Sequence, residues 1–248
     1  PAGVRELVDN GHQVIVQKNA AEEIGMHDED YEKAGAEMVE TPEEIFERAE
    51  MVVKVKEPQA HECAMLRDGQ VLFTYLHLAP DPEQTTALVK SGCIAIAYET
   101  VTDAQGGLPL LAPMSEVAGR MSIQAGAHCL EKEQGGRGVL LGGVPGVEPA
   151  NVVIIGGGVV GSHAARMAVG MGAQVSIFDR SIPRLRQLEE LFGASAHTIY
   201  STREALENAV YSADLVIGAV LVAGAAAPKL VRRDMLPNMR RNSVVVDV

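Results

Sequence analysis

The most specific chemical pattern in the chain is a glycine run directly after an apolar segment. Residues 151–161 read NVVIIGGGVVG, in which Gly156, Gly158 and Gly161 have the spacing GxGxxG. The first glycine permits a tight turn, the second lets backbone approach a pyrophosphate, and the third lets a helix pack closely on a strand. Free amides at the start of that helix face the phosphates, and the helix dipole favours negative charge there. The pattern predicts a dinucleotide-binding site.

An acidic residue completes this fingerprint. The strand predicted over residues 174–179 ends in Asp179, eighteen residues after Gly161, as a dinucleotide-binding βαβ unit requires. The carboxylate of Asp179 can accept both ribose hydroxyls and would repel a 2′-phosphate, so NAD is expected in preference to NADP. Arg180, the next residue, counts against that preference. The alternative is a Rossmann-like domain whose crevice holds no ligand.

Ligands of open α/β sheets lie outside the carboxyl ends of the strands, and four further residues fall there or close by. Ser201 follows the predicted strand 196–200, and Val220 and Leu221 follow the predicted strand 213–218. Arg184 comes five residues after Asp179. Each by itself is more typical of an ordinary loop or helix residue. Their common location predicts that the set contacts the cofactor.

Three predicted strands of the first half deliver different polar side chains to one sheet edge. Lys56 stands in VVKVKEP, His77 in FTYLHLAP and Glu99 in IAYET. If a dinucleotide faces this edge, hydride transfer to a carbonyl or imine needs a proton donor, and histidine has a suitable pKa. A 2-oxo acid also needs a fixed cation for its carboxylate, and Lys56 is the candidate.

Each of these three residues also has a plainer interpretation. Lys56 is equally typical of a solvated strand end, and Lys54 competes for its role. His77 lies between two leucines, which is typical of a buried core histidine. Glu99 is typical of a structural carboxylate that pairs with a lysine, and the sequence leaves its role open.

Apolar β-rich runs that alternate with helical patterns would position these residues, and such alternation predicts βαβ units and parallel sheets. Before a turn-rich stretch at 106–113, strands are expected at 13–17, 36–39, 51–55, 70–75 and 93–98, with helices at 2–10, 28–34, 42–49, 59–67 and 81–91. A long helix over 115–134 and a glycine-rich loop follow. Strands are then expected at 151–156, 174–179, 196–200, 213–218 and 243–248, with helices at 159–171, 182–192, 202–210 and 232–238.

This pattern predicts an α/β fold of two Rossmann-like parallel-sheet domains joined by a long helix. Residues 1–113 would form the substrate, or catalytic, domain, and residues 114–248 the NAD-binding domain. The chain starts with Pro1 and stops at Val248 inside an apolar run. We therefore expect a fragment of a longer protein, with an incomplete first domain and a second domain truncated at its C-terminal end.

Composition and charge exclude several classes of function. The 248 residues are 47% hydrophobic and 22% charged, which is globular composition. The net charge of −12 argues against a nucleic-acid surface. It is concentrated in residues 1–113, with 8 Lys and Arg against 21 Asp and Glu, whereas residues 114–248 have 13 against 12. The neutral second half is the better place for a phosphate-bearing ligand.

Two further classes are excluded by apolar runs and cysteine spacing. The longest uncharged apolar run has 13 residues, 215–227, and a membrane span needs about 20. Cys63, Cys93 and Cys129 form no CxxC pair and no Cys/His cluster with zinc spacing, so no metal site is expected. The cysteine usage fits a reduced cytoplasmic compartment.

Longer strings carry a resemblance to a known family. The chain closely resembles alanine dehydrogenases, collinearly over essentially its whole length, in PAGVRELVDNGHQV, KVKEP, TYLHLA, AYETV, LPLLAPMSEVAGR, QGGRGVLLGGVPGVEPA and DLVIGAVLVAGAAAPKLV. This resemblance implies reversible, NAD-dependent oxidative deamination of L-alanine to pyruvate and ammonia. It also implies a homohexamer in which a substrate domain and an NAD domain surround a closing cleft.

The resemblance also implies roles for individual residues. His77 matches the family's acid/base histidine, and Lys56 matches the lysine that holds the substrate carboxylate. Ser115, which the sequence alone indicates as a helix N-cap, matches the serine that bonds the cofactor phosphate. The remaining matches are to NAD contacts: Val159, Val160, Asp179, Arg184, Ser201, Val220 and Leu221. A carboxylate-binding arginine would precede Pro1, and a catalytic aspartate would follow Val248.

Two other functions compete with this one. The NAD(H)-binding domain of proton-translocating transhydrogenase resembles this fold and shares several motifs, but it reduces no small substrate. Lys56 and His77, together with the strings APMSEVAG and VPGVEP, favour alanine dehydrogenase. The second alternative is a non-catalytic fragment that binds NAD and turns nothing over.

Overall fold

The computed structural model describes residues 1–220 and 228–248. The fold is α/β with parallel strand pairing throughout the described sheets, which confirms the predicted fold class. The chain forms two compact units, Pro1–Leu108 and Pro109–Val248. Leu221, one of the predicted cofactor contacts, lies outside the described residues.

Unit 1 alternates short helices and strands. Its helices are α1 (Ala2–Asp9), α2 (Asp28–Lys33), α3 (Pro42–Arg48), α4 (Ala60–Met65) and α5 (Pro82–Ser91), and its strands are β1 (Ile15–Gln17), β2 (Glu37–Val39), β3 (Met51–Val53), β4 (Val71–Thr74) and β5 (Ile94–Ala97). In the described chain these strands pair as two separate sheets, β1–β2 and β3–β4–β5. The second sheet carries the residues of chemical interest.

Local signals explain why several helices start where they do. The side chain of Thr41 accepts from the amide of Glu44 at the start of α3, and Asp81 caps α5 in the same way through Gln84. A proline follows each cap, at a position that requires no amide hydrogen. The core of unit 1 lies between α3, α4, α5 and the larger sheet, and it is built from Phe46, Val52, Cys63, Leu66, Leu72, Leu76 and Leu88.

Unit 2 is built on one five-stranded parallel sheet. Its helices are α6 (Ala112–Cys129), α7 (Val159–Gly170), α8 (Ile182–Phe192) and α9 (Arg203–Ser212), and its strands are β6 (Asn151–Ile155), β7 (Gln174–Asp179), β8 (Ala196–Tyr200), β9 (Leu215–Gly218) and β10 (Val244–Asp247). The strand order is β10-β9-β6-β7-β8. Strand β6, which leads into the glycine run, is therefore central.

Two expected helices differ from the structure. The long helix begins at Ala112, three residues earlier than the predicted 115, because Pro113 is tolerated in its first turn. It lies wholly within unit 2. The helix expected at 232–238 is instead a 3₁₀ helix, Arg233–Asn238, with Pro237 inside it. A proline there removes a backbone donor that an α-helix would need.

The two faces of the five-stranded sheet bury separate apolar clusters. One cluster joins α6, α7 and α8 to the strands through residues such as Ile123, Ile154 and Leu188. The other joins α9 and the 3₁₀ helix through Phe178, Val210 and Met235 among others. A parallel sheet buried on both faces needs strands that are apolar throughout, which is what NVVII and LVIG supply.

Candidate active site

The glycine run turns the chain sharply from β6 into α7. Gly156 has a φ of +103°, and its amide donates to the carbonyl of Phe178 at 2.8 Å. A Cβ added at Gly156 would lie 2.5 Å from the carbonyl oxygen of Ala219 and 2.9 Å from Cγ2 of Val220. The first glycine of the motif is thus required by both its backbone conformation and its neighbours.

The other two motif glycines face different surroundings. A Cβ at Gly161 would lie 1.8 Å from the carbonyl oxygen of Gly156, so this glycine lets α7 pack against the end of β6. A Cβ at Gly158 would meet no atom within 4 Å, and this residue is exposed. The protein itself therefore leaves space at Gly158, where a pyrophosphate would approach the backbone.

The start of α7 offers backbone donors to a ligand. Gly158 is its N-cap, and no side chain caps the helix. The first amides of a helix have no partner within it, and they form an anion site together with the helix dipole. The open glycine and the uncapped helix start fit the pyrophosphate of a dinucleotide.

The side chains of Asp179 and Arg184 both hydrogen-bond to the backbone of Gly157, in the middle of the glycine run. Oδ2 of Asp179 accepts from the amide of Gly157 at 2.8 Å, and Nε of Arg184 donates to the carbonyl of Gly157 at 2.6 Å. Oδ1 of Asp179 accepts from the amide of Ser181 at 2.8 Å. Each carboxylate oxygen has a second lone pair, so Asp179 can also accept hydrogen bonds from a ribose. The role of Gly157 was not predicted from the sequence, because it depends on a backbone amide and carbonyl and not on a side chain.

Most other predicted cofactor contacts gather around this turn. The amide of Ser201 donates to the carbonyl of Asp179 at 3.0 Å, and Val220 lies against Gly156 as described above. Val159 and Val160 form the first turn of α7, with Val159 41% exposed and Val160 packed partly into the core.

Ser115 does not cap α6, in contrast to the alternative drawn from the sequence alone. Its amide donates to the carbonyl of Leu111 at 3.1 Å, so it lies within the helix. It is one turn before Gly119 on the same face. A Cβ at Gly119 would lie 2.3 Å from the carbonyl oxygen of Val160. This face of α6 packs against the first turns of α7. Ser115 therefore lies on the side of α6 that is nearest the glycine run between β6 and α7.

In unit 1, the structure distinguishes the two candidate lysines. Nζ of Lys54 lies 2.5 Å from Oε2 of Glu62, and both side chains are largely buried. Lys56 lies beyond the end of β3 and is exposed, and none of the ion pairs among the described residues involves it. Its carbonyl accepts from the hydroxyl of Thr74 at 2.8 Å, which fastens it to β4. Lys54 is thus neutralised, whereas the charge of Lys56 remains accessible to a ligand.

His77 is exposed, unlike the buried core histidine considered as an alternative. Its ring stacks on Tyr75 with centroids 6.0 Å apart and an interplanar angle of 14°. Tyr75 also meets Tyr98 edge to face at 4.9 Å. Burial raises the pKa of the Tyr98 phenol, and Tyr75 adds to the effect. Sequence reasoning missed Tyr75, although it lies only two residues before His77.

Glu99 pairs with backbone, and not with the lysine considered above. Its carboxylate accepts from the amide of His77 at 2.7 Å and from the amide of Leu76 at 3.1 and 3.3 Å. Glu99 follows β5, and β5 pairs with β4 in parallel register. The ends of neighbouring strands therefore bring Glu99 and His77 together.

Neither a metal-binding cluster nor a membrane-spanning helix is found among the described residues, 1–220 and 228–248. No group of three or more His, Cys, Asp or Glu side chains there could hold a metal ion. No helix in the same ranges has both the length and the apolar character needed to cross a membrane.

Comparison with known families identifies the family to which the chain belongs. Residues 1–118 match the model described as "Alanine dehydrogenase/PNT, N-terminal domain", and residues 122–248 match "Alanine dehydrogenase/PNT, C-terminal domain". The chain belongs to the alanine dehydrogenase/PNT family. The resemblance inferred from the sequence strings is thereby confirmed.

Individual relatives refine this assignment within the alanine dehydrogenase/PNT family. The alanine dehydrogenase of Halomonas elongata is 59% identical over all of this chain, which covers 67% of that protein. A solved L-alanine dehydrogenase structure is 54% identical with a TM-score of 0.93, covering 100% of this chain and 68% of that one. The transhydrogenase of Sinorhizobium meliloti is 27% identical with a TM-score of 0.82, covering 98% and 71%. The chain thus spans about two thirds of its alanine dehydrogenase relatives, and the transhydrogenase is more distant.

Proposed function

We propose that the protein containing this chain is an NAD-dependent enzyme that reversibly converts L-alanine and water to pyruvate and ammonium. The observation that carries the proposal is the open, uncapped helix start beside Asp179, in a chain 59% identical to an alanine dehydrogenase. A homohexameric assembly and a cytoplasmic location belong to the same proposal. They rest on the family resemblance and on the cysteine usage.

Unit 2 would hold the dinucleotide. The amides at the start of α7 would bind the pyrophosphate. Asp179, fixed at the end of β7, would accept hydrogen bonds from the ribose hydroxyls. Ser115 and Ser201 offer hydroxyls, and Val220 offers apolar contact. When bound, NAD would supply the hydride acceptor for the oxidation of alanine and, as NADH, the hydride donor for the reverse reaction.

Lys56 would bind the substrate carboxylate. Its ammonium is exposed beyond β3, whereas Lys54 is already paired with Glu62. The carboxylate that Lys56 would pair with is present in alanine and pyruvate alike. The contribution of Lys56 is therefore expected to be mainly to binding.

His77 would move the protons. After alanine has lost a hydride from its α-carbon, water adds to the imine carbon, and the resulting carbinolamine releases ammonia. Alanine must lose an ammonium proton as its hydride leaves, the attacking water must lose a proton, and the carbinolamine hydroxyl must lose its proton as the amine gains one and departs. An imidazole can accept and donate such protons near neutral pH. Among the described residues of unit 1 at this sheet edge, His77 has the side chain suited to this exchange.

The first test is steady-state kinetics of the intact enzyme with NADH, pyruvate and ammonium. We expect His77→Ala to lower kcat by about 10²–10⁴-fold while NADH affinity stays near the wild-type value. Lys56→Ala should mainly raise the KM for pyruvate, and Lys90→Ala, an exposed lysine at the end of α5, serves as the charge control.

Two outcomes would contradict the proposal. Near-normal turnover of His77→Ala would show that His77 is an ordinary surface residue with no part in proton transfer. Wild-type protein that binds NADH but fails to oxidise it with pyruvate and ammonium would favour the transhydrogenase-like or non-catalytic alternative.

A further inference from the structure

The backbone of His77 has an unusual conformation. Its φ is +47°, and the other described non-glycine residues with positive φ are Asn19 and Asn242. Asparagine visits this left-handed region more readily because its short side chain can bond locally. Histidine enters the left-handed region more often than most residues with a Cβ, but the conformation is still uncommon and carries a cost. Something in the surrounding structure must therefore stabilise the turn at His77.

The carboxylate of Glu99 is placed to do this. It accepts from two successive amides, those of Leu76 and His77, with a shortest distance of 2.7 Å. Successive amides converge on one anion only when the backbone turns to form a concave nest. Hydrogen bonds to an ionised acceptor are also stronger than those between neutral groups. In an extended continuation of β4, the two amides would point in opposite directions.

We propose that Glu99 is the positioning residue for His77, holding its backbone in the left-handed turn that sets the direction of the imidazole. This inference rests on the proposed function of His77 as the acid/base residue. The left-handed turn places the imidazole parallel to the Tyr75 ring, at the edge of the sheet where Lys56 also lies. Glu99 acts through backbone amides and has no direct part in proton transfer.

The hydrogen-bond geometry allows the positioning effect of Glu99 on the His77 backbone to be distinguished from an effect of its negative charge. Oε1 of Glu99 accepts both of the shorter bonds, from Leu76 at 3.1 Å and from His77 at 2.7 Å. Oε2 accepts only the 3.3 Å bond from Leu76. A glutamine can place its single oxygen where Oε1 lies and so retain the two main bonds without any charge. An alanine retains neither bond.

The experiment compares Glu99→Ala and Glu99→Gln in the intact enzyme, with Glu83→Gln as the control. Glu83 is an exposed carboxylate in the first turn of α5. We expect Glu99→Ala to lower kcat by about 10²-fold, the typical cost of a misplaced catalytic group, with pyruvate KM and NADH affinity within about threefold of the wild-type values. Glu99→Gln should recover most of the lost kcat, and Glu83→Gln should change nothing.

A second readout reports the backbone directly and does not depend on catalysis. Amide hydrogen exchange at His77 should accelerate in Glu99→Ala and stay slow in Glu99→Gln. If Glu99→Ala folds poorly, the loss of thermal midpoint caused by Glu99→Ala is measured in the wild-type and in the His77→Gly backgrounds. Glycine adopts positive φ without support. In the His77→Gly background the loss of thermal midpoint caused by Glu99→Ala should be smaller than in the wild-type background.

Wild-type kcat in Glu99→Ala, or an unchanged His77 amide in that variant, would overturn the inference. It would also be overturned if Glu99→Gln were as impaired as Glu99→Ala, since charge and not geometry would then matter. Failure of the proposed function gives a different result: His77→Ala is active, while Glu99→Ala with His77 in place still accelerates amide exchange at His77.

Discussion

Asp179 illustrates how one side chain serves both the fold and the ligand. Its two oxygens already accept amides of Gly157 and Ser181, so the carboxylate is fixed before any dinucleotide arrives. A group that is already oriented loses little side-chain entropy on binding. If a dinucleotide binds as proposed, the same fixed charge would repel a 2′-phosphate, which would link the local hydrogen bonds to cofactor choice.

We expect Asp179→Ser to weaken NAD binding and to lower the preference for NAD over NADP. Removing the charge removes repulsion of the 2′-phosphate, and tenfold in the ratio of the two affinities corresponds to about 1.4 kcal/mol. Titration calorimetry with both dinucleotides measures this ratio. Glu190→Gln, which removes an exposed carboxylate from α8, should leave it unchanged, and an unaltered ratio in Asp179→Ser would contradict the role given to Asp179.

Residues differed in how far sequence could predict their roles. Gly156, Gly161 and Asp179 lie within one βαβ unit, so their spacing along the chain encodes their spatial relation. Glu99 and His77 meet only through the register of β4 and β5 and a left-handed turn at a histidine. No pattern of residue types specifies that turn, so the partner of Glu99 could not be predicted.

The helix α7 shows why three glycines of one element are not equivalent. Gly161 touches the end of β6, Gly158 faces open space, and Gly170 at the far end of the helix would meet nothing within 4 Å if a Cβ were added. The motif positions thus divide into two that the fold requires, Gly156 and Gly161, and one, Gly158, where the fold leaves space that a ligand would occupy. Gly170 provides a matched control in the same element.

We expect Gly161→Ala to cost about 1–3 kcal/mol of stability, because the added methyl overlaps backbone that must move. Gly158→Ala should leave stability near the wild-type value but lower NAD affinity at least tenfold. Gly170→Ala should leave binding unchanged and gain up to about 1 kcal/mol from helix propensity. Urea unfolding and NAD titration of the three variants test this, and equal loss of NAD affinity at Gly158 and Gly170 would contradict it.

Element boundaries were predicted least well where two local signals competed. Ser115 followed by Glu116 is typical of a helix start, yet the helix begins at Ala112 because Pro113 fits its first turn. At 232–238 the apolar spacing indicated a helix, but Pro237 leaves only 3₁₀ geometry. Strand pairing within unit 2 followed the predicted alternation more closely, because its interior strands β6 and β9 are almost entirely apolar.

At the scale of the whole molecule, the two units differ in how much apolar surface they bury. Each hydrophobic cluster lies inside one unit. Unit 2 buries both faces of a five-stranded sheet, whereas unit 1 has a single smaller cluster and exposes the strand residues Met51, Val53, Ile94 and Ile96. Stability scales with the apolar area removed from water, so in this chain we expect unit 1 to open at lower free energy than unit 2.

Amide hydrogen exchange on this 248-residue chain, with and without NAD, tests that expectation. In the free chain, amides of β4 should exchange faster than those of β6 and β7. NAD at about one hundred times its dissociation constant should stabilise the unit that binds it by about 2.7 kcal/mol, so exchange in β6 and β7 should slow by about a hundredfold. Exchange in β4 should change little, because the residues that fit the dinucleotide belong to unit 2. In Gly158→Ala, at the same NAD concentration, the NAD-dependent slowing should fall to about tenfold or less while the free-chain pattern remains. Equal slowing of β4 and β6 by NAD would show that the chain opens as one cooperative unit, and the assignment of stability to separate cores would then be wrong.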